Sequence, residues 1–242
     1  MYDYEAIEKN LRTKYLGRVF LQFDKIESTK SKCKNISREC PEGMLVLTEE
    51  DIEGNIYIDE EVKDYDKSIL MGVIFKLKKE DFEKENIETL ITYIGVSSLI
   101  KNLLDYFDNI QYHWEKIIKG DNFLCEVDSI KSLKSNDRSI MLGYKLYYKK
   151  ETDREYLVAE IANSLEKNYE KMFNDGEIDK IVNLCSKYLK NKDKYILINK
   201  KNRKTVNELK DINLDNSGNL TGKNGRKTLK IKWKEYDINW CD

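Results

Sequence analysis

The sequence has one proline (Pro41), one histidine (His113) and five cysteines, none of them at CxxC spacing. The cysteines, Cys33, Cys40, Cys125, Cys185 and Cys241, are odd in number and scattered. A zinc site needs clustered sulfur and imidazole ligands, so no metal is predicted. The thiols read as reduced, in a reducing compartment. No apolar run approaches the roughly 18 residues that would cross a bilayer, so no membrane segment is expected. Met1-Tyr2-Asp3-Tyr4-Glu5 is acidic, not basic and then apolar, which predicts no secretory signal and a cytoplasmic chain. Net charge is missing as well. Lys+Arg number 43 and Asp+Glu 44 over 242 residues, so nothing global points to nucleic acid. The local basic stretch Lys200-Lys201-Asn202-Arg203-Lys204 reads as a solvated loop.

What is present is a succession of elements. Tyr4 to Lys14 is predicted helical, with Ile7, Leu11 and Tyr15 at helical spacing. Leu16 to Phe23 alternates like a strand, with Gly17 suited to a turn before it. Ser28-Thr29 suits the N-cap of a helix running to Arg38, with Cys33 and Ile36 inward. Cys40-Pro41-Glu42-Gly43 is turn chemistry, and Met44 to Thr48 is a buried strand. Glu49 to Asp66 is dominated by acids and reads as an exposed loop. Ile69 to Leu77 is the next strand. Ile87 to Phe107 carries the widest apolar stripe, a core helix in which Gly95, Ser97 and Ser98 permit close approach to a sheet.

Ile110 to Trp114 and Phe123 to Ile130 read as strands joined by a loop with Gly120-Asp121-Asn122. Ser139 to Tyr148 is another strand. Helices follow over Arg154 to Phe173 and Glu177 to Lys190. Beyond Asn191 the pattern changes to short strands separated by Asn, Asp and Gly turns. The fold class is therefore α+β: a mixed β-sheet with flanking helices over residues 1–190, then a small β domain over 191–242.

In this order the elements resemble the biotin protein ligases of the biotin/lipoate ligase superfamily. The resemblance is carried by Ile7, Leu11-Arg12-Thr13, Leu16-Gly17-Arg18, Phe23-Asp24, Ile26 and Ser28-Thr29. The Pro41-Glu42-Gly43 turn and the strand after it continue the match. The tail Lys210-Asp211-Ile212-Asn213-Leu214-Asp215-Asn216-Ser217-Gly218-Asn219-Leu220 is similar to the family's C-terminal SH3-like β-barrel. Nearly all of the chain is covered. No helix-turn-helix domain precedes residue 1, so a repressor-type ligase is not expected.

The resemblance implies a carboxylate, biotin or a relative, joined to ATP with Mg and passed to a lysine of a biotin- or lipoate-acceptor domain. That chemistry needs cations and backbone donors around the phosphates. The ring-holding Ser-Thr-Asn triplet appears as Ser28-Thr29-Lys30. The Gly-Arg-Gly-Arg loop is reduced to Gly54 in acidic surroundings, where triphosphate would be repelled. The Lys-Trp-Pro-Asn-Asp motif is His113-Trp114-Glu115-Lys116-Ile117, with Lys116 as the candidate displaced cation. The second family lysine falls near Asn122. The Gly-Ile-Gly strand becomes Gly143-Tyr144-Lys145, where Tyr144 is expected to intrude on the ligand.

Ser28, Thr29, Gly54, His113, Trp114 and Asn122 are thus the ligand-binding candidates. The expectation is a biotin protein ligase-like pseudoenzyme with eroded ATP- and biotin-binding motifs that binds a ligand or another protein. The alternative is a divergent acyl-adenylate-forming ligase, with Lys116, Lys119, Arg138 or Lys145 supplying cations. A third reading is an unrelated α+β interaction module. A homodimer is a further expectation from the resemblance, with the Ser139–Tyr148 strand as the candidate contact.

Overall fold

The computed structural model of the chain describes residues 1–52, 67–104, 110–113, 117–120, 123–148, 153–189, 195–199, 201–232 and 235–240. The first seven strands are β1 (Phe20–Ile26), β2 (Leu45–Asp51), β3 (Lys67–Lys76), β4 (Gln111–His113), β5 (Ile117–Gly120), β6 (Phe123–Lys131) and β7 (Ser139–Tyr148). They form one sheet in the order β1-β2-β3-β7-β6-β5-β4. The β1–β2 pair is parallel and the others are antiparallel, so the sheet is mixed. The helices are α1 (Tyr4–Asn10), α2 (Thr29–Ile36), α3 (Lys79–Phe82), α4 (Ile87–Leu103), α5 (Arg154–Phe173) and α6 (Ile178–Tyr188).

Alternation along the strands sends two sets of side chains to two sheet faces. On one face lie Leu45 and Leu47, Met71 and Val73, Val127, and Leu142, Tyr144 and Leu146, all fully buried under α4, α5 and α6. Helix α4 is buried almost all round, as a helix enclosed by a sheet and two other helices must be. It reaches the sheet at Gly95, where a Cβ would lie 2.7 Å from a Val127 methyl. Ser97 and Ser98 instead face α5, where both hydroxyls accept from the Asn168 amide at 3.0 and 2.9 Å. Helix α5 is capped by Asp153, which accepts from the Tyr156 N–H at 2.9 Å. Its Leu157, Ile161, Leu165 and Tyr169 point inward.

The other face is covered only in part, by α2. A small cluster of Cys33, Met44, Val46, Ile74 and Met141 fills that contact. It depends on two glycines opposite each other on neighbouring strands, Gly72 of β3 and Gly143 of β7. A Cβ on Gly72 would come within 2.6 Å of the Cys33 sulfur, and one on Gly143 within 3.3 Å of the Lys30 Cβ.

The C-terminal strands are β8 (Tyr195–Asn199), β9 (Thr205–Leu214), β10 (Leu220–Asn224), β11 (Lys227–Ile231) and β12 (Tyr236–Trp240). They form an antiparallel sheet in the order β11-β10-β9-β8-β12 around Tyr195, Leu197, Leu209, Ile212, Leu220 and Ile231. The sheet is consistent with an SH3-like domain; among the described residues its end strands, β11 and β12, are not paired with each other. The sheet rests on the N-terminus of α4. The Asn86 amide donates to the Ser217 carbonyl and to Asn219 Oδ1 at 2.9 and 3.1 Å, and Lys232 pairs with Glu85. The Asp215 carboxylate accepts from the N–H groups of Ser217 and Asn219, which fixes that turn.

Several expectations need correction. Ile117–Gly120 is a strand, not part of a loop, because it pairs on both sides with β4 and β6. Glu49 to Asp51 belongs to β2, and Asp51 is buried. The Ser139–Tyr148 strand is interior to the sheet, between β3 and β6. The domain boundary near residue 191 lies outside the described residues. Among the described residues no helix is long and apolar enough to cross a membrane.

Candidate functional site

Where α2 ends over the open face, its first turn and the strands beneath enclose a cavity of about 260 Å³. Ser28, Thr29 and Lys30 form one wall, Glu126 and Asp128 of β6 another, and Gly143, Tyr144 and Lys145 of β7 the floor. Register explains the grouping. Asp128 lies opposite Gly143 and Glu126 opposite Lys145, so the polar side chains of two neighbouring strands emerge on one face. Gly143 leaves room for Lys30 to cross the floor and reach Asp128.

Ser28 is the N-cap of α2. Its Oγ accepts from the Ser31 N–H at 3.0 Å, satisfying one of the donors a helix N-terminus leaves over. Thr29 is buried, and its carbonyl lies against Gly72. Both residues are therefore at the cavity, and Ser28 also has a complete structural role there.

The charged groups meet in pairs. Lys30 Nζ is 2.5 Å from Asp128 Oδ2, with both side chains partly exposed. Lys145 Nζ is 3.5 Å from Asp51 Oδ2, whose carboxylate is 1% exposed at the end of β2. Glu126 is exposed and, among the described residues, no ion pair engages it. The cavity thus gathers the acids Glu126 and Asp128 about the two lysines, with the buried Asp51 behind Lys145. Tyr147, next on the same face of β7, has its phenol pushed up by burial and by the nearby Asp51 and Glu126 charges.

Tyr144 does not intrude on this space. Its side chain points to the opposite face, fully buried, and its hydroxyl donates to the Gly95 carbonyl of α4 at 3.0 Å. Only its main chain faces the cavity side, because β7 alternates and Gly143 and Lys145 take that face. Gly54, Trp114, Lys116 and Asn122 lie outside the described residues. His113 is placed through its backbone pairing with Ile117 in β4 and β5. Of the alternative cations, Lys145 is at the cavity beside Ser28, whereas Arg138 sits at the far end of β7, where its carbonyl accepts from Leu77. Asp51, Glu126 and Asp128 were not singled out from the sequence. The available signal was polar residues at alternate positions in otherwise apolar strands, in β6 and at Gly143, Lys145 and Tyr147 of β7.

At the other end of α2 a second polar group is closed. Asp137 accepts from the hydroxyls of Ser37 and Ser139 at 2.5 Å each and of Ser132 at 2.7 Å, and Lys76 stands 3.9 Å away. Burial alone would push this carboxyl up; the three hydroxyls and Lys76 outweigh it and hold it below the usual range. Among the described residues no group of three or more His, Cys, Asp or Glu side chains is placed to hold a metal ion.

No protein-family model and no curated protein sequence matches this chain. Solved structures do. The biotin protein ligase of Aquifex aeolicus superposes with a TM-score of 0.70 at 11% identity, over 93% of this chain and 99% of that one. A biotin protein ligase-like protein of unknown function from Silicibacter sp. tm1040 gives 0.62 at 10% identity, over 91% and 97%. The biotin acetyl coenzyme A carboxylase synthetase of Helicobacter pylori gives 0.55 at 12% identity, over 87% and 98%. At such identities the likeness is one of architecture, and on it the conclusion rests that this chain has the fold of the biotin protein ligases.

Proposed function

We propose that this protein is a non-catalytic homologue of the biotin protein ligases that binds a small ligand in the cavity beside α2. The observation that carries this reading is the charge pattern. Adenylate formation needs cations free to take up the triphosphate and the departing pyrophosphate. Here each lysine of the cavity already faces an acid, Lys30 facing Asp128 and Lys145 facing Asp51. Glu126 adds a further negative charge. A triphosphate would have to displace carboxylates from both lysines and then lie beside Glu126 and Asp128. Among the described residues, those lining the cavity do not fit ATP and Mg.

The test is pyrophosphate exchange into ATP with biotin or lipoate, together with acyl transfer to a biotin- or lipoate-acceptor domain. No exchange above background is the expected result, and turnover would overturn the reading. Thermal shift measures binding separately. A ligand at about 100 times its dissociation constant stabilises by roughly 2.7 kcal/mol, or about 5–10 °C for a chain of this size.

One observation favours a second reading. Lys145 stands at the cavity and holds Asp51 at a distance longer than a charge-assisted hydrogen bond. In that reading Lys145 turns to the substrate, and the protein is a divergent acyl-adenylate-forming ligase attaching biotin or a related carboxylate to a lysine of an acceptor protein. Exchange activity in the natural chain that is lost in Lys145→Ala would establish it.

A further inference from the structure

We infer that the cavity beside α2 takes a small zwitterion: an amino acid, or a compound that like one carries one ammonium and one carboxylate. The inference rests on the reading of that cavity as a binding site and specifies what fills it.

Lys145 and Glu126 face each other across the β6–β7 pair. Residues so placed have Cβ atoms about 4.5–5.5 Å apart, and opposite charges at that spacing ordinarily pair. These two do not. Lys145 turns away to Asp51 at 3.5 Å, and among the described residues no ion pair engages the Glu126 carboxylate. The floor therefore offers a cation and an anion side by side, one loosely held and the other uncommitted. The Lys145 contact is longer than the ~2.7–2.9 Å of a charge-assisted hydrogen bond, so a ligand carboxylate can draw the ammonium toward itself. A ligand ammonium then lies against Glu126. Asp128, on the same face of β6, adds a second negative charge on that side.

Charge balance selects between ligand classes. The lining acids Glu126 and Asp128 and the lysines Lys30 and Lys145 balance, so a simple anion leaves Glu126 uncompensated and a simple cation makes no use of Lys145. A molecule with both groups satisfies both. Size agrees: about 260 Å³ lies below the roughly 300–1,000 Å³ of sites for drug-sized ligands.

Isothermal titration calorimetry of the full chain tests this. The ligands are the twenty proteinogenic amino acids, each beside its decarboxylated amine and its deaminated acid. At least one amino acid is expected to bind at least tenfold tighter than either of its halves. Glu126→Gln is expected to weaken that amino acid at least tenfold and to leave the acid unchanged, whereas Lys145→Gln weakens both. Glu126 is exposed, and an unchanged unfolding midpoint confirms that the Glu126→Gln protein is folded. An acid that binds as tightly as its amino acid, unaltered affinity in Glu126→Gln, or no binding by any amino acid overturns the inference. The reading of the cavity as a binding site survives those results if biotin, lipoate or a biotinyl-adenylate analogue gives heat, and falls with the inference if none does.

Discussion

The two faces of the seven-stranded sheet are made by the same strands and carry opposite kinds of residue. Along β7, Leu142, Tyr144, Leu146 and Tyr148 are buried under helices, while Gly143, Lys145 and Tyr147 look the other way and are half-buried. The covered face is a packing surface with hardly a charge on it. The open face, past the end of α2, collects two lysines and two acids from α2, β6 and β7. One sheet thus separates stability from chemistry by the parity of residue number. A change of one position along a strand moves a side chain from one task to the other.

Stability measurements sharpen or break that contrast. The largest expected effect is on the covered face. Leu142→Ala removes a fully buried side chain beneath α4 and is expected to cost about 2–5 kcal/mol in urea denaturation. On the open face, Glu126→Ala is expected to stay within about 0.5 kcal/mol, its side chain being exposed and, among the described residues, engaged by no ion pair. Equal costs at the two positions would abolish the distinction between the faces.

Next comes the closed polar group at the far end of α2. Asp137→Ala strands three hydroxyls and Lys76 and is expected to cost about 3 kcal/mol at neutral pH. The sign with pH follows from the lowered carboxyl of Asp137. Its contribution is complete above the unfolded value of about 3.9 and is lost as pH falls from there through the folded value. Natural chain and Asp137→Asn, unfolded in urea at pH 7 and pH 3, should therefore differ less at the lower pH. A gap that widens on acidification would contradict the burial and bonding assigned to Asp137.

Smaller still is the cap. Ser28→Ala is expected to cost about 1 kcal/mol through loss of the Ser31 contact, and Ser28→Gly only a few tenths. If either substitution also changes ligand affinity in calorimetry, Ser28 serves the cavity as well as the helix.

The sequence made the architecture legible where periodicity is long and clean. Helix α5 and strand β7 begin and end where the spacing places them, because each buries one continuous stripe. Strand β5 escaped notice because Ile117–Gly120 is short and ends in Lys119 and Gly120, a pattern shared with loops. Tyr144 was expected on the wrong face because alternation identifies two sets of residues in a strand buried on both sides without saying which set meets the helices. The site was less legible than the fold. Ser28 and Thr29 could be located by their place before a helix. The acids facing Lys30 and Lys145, however, come from β6 and β2, far along the chain from their lysines. Asp128 stands 98 residues from Lys30, and no local spacing joins them. Only the register of the sheet does.

The saddle formed by Gly72 and Gly143 carries a consequence for how such a protein can diversify. It lets α2 settle against the sheet, and so fixes how deep the cavity is. A single methyl group at Gly143 would press on the Lys30 Cβ by a few tenths of an ångström, and one at Gly72 would meet the Cys33 sulfur and the Thr29 backbone outright. Roof height is thereby governed by two positions that bear no charge. A lineage carrying this scaffold can retune the size of what it accommodates through Gly143 at the cost of a few tenths of an ångström at Lys30, whereas Gly72 is locked against change.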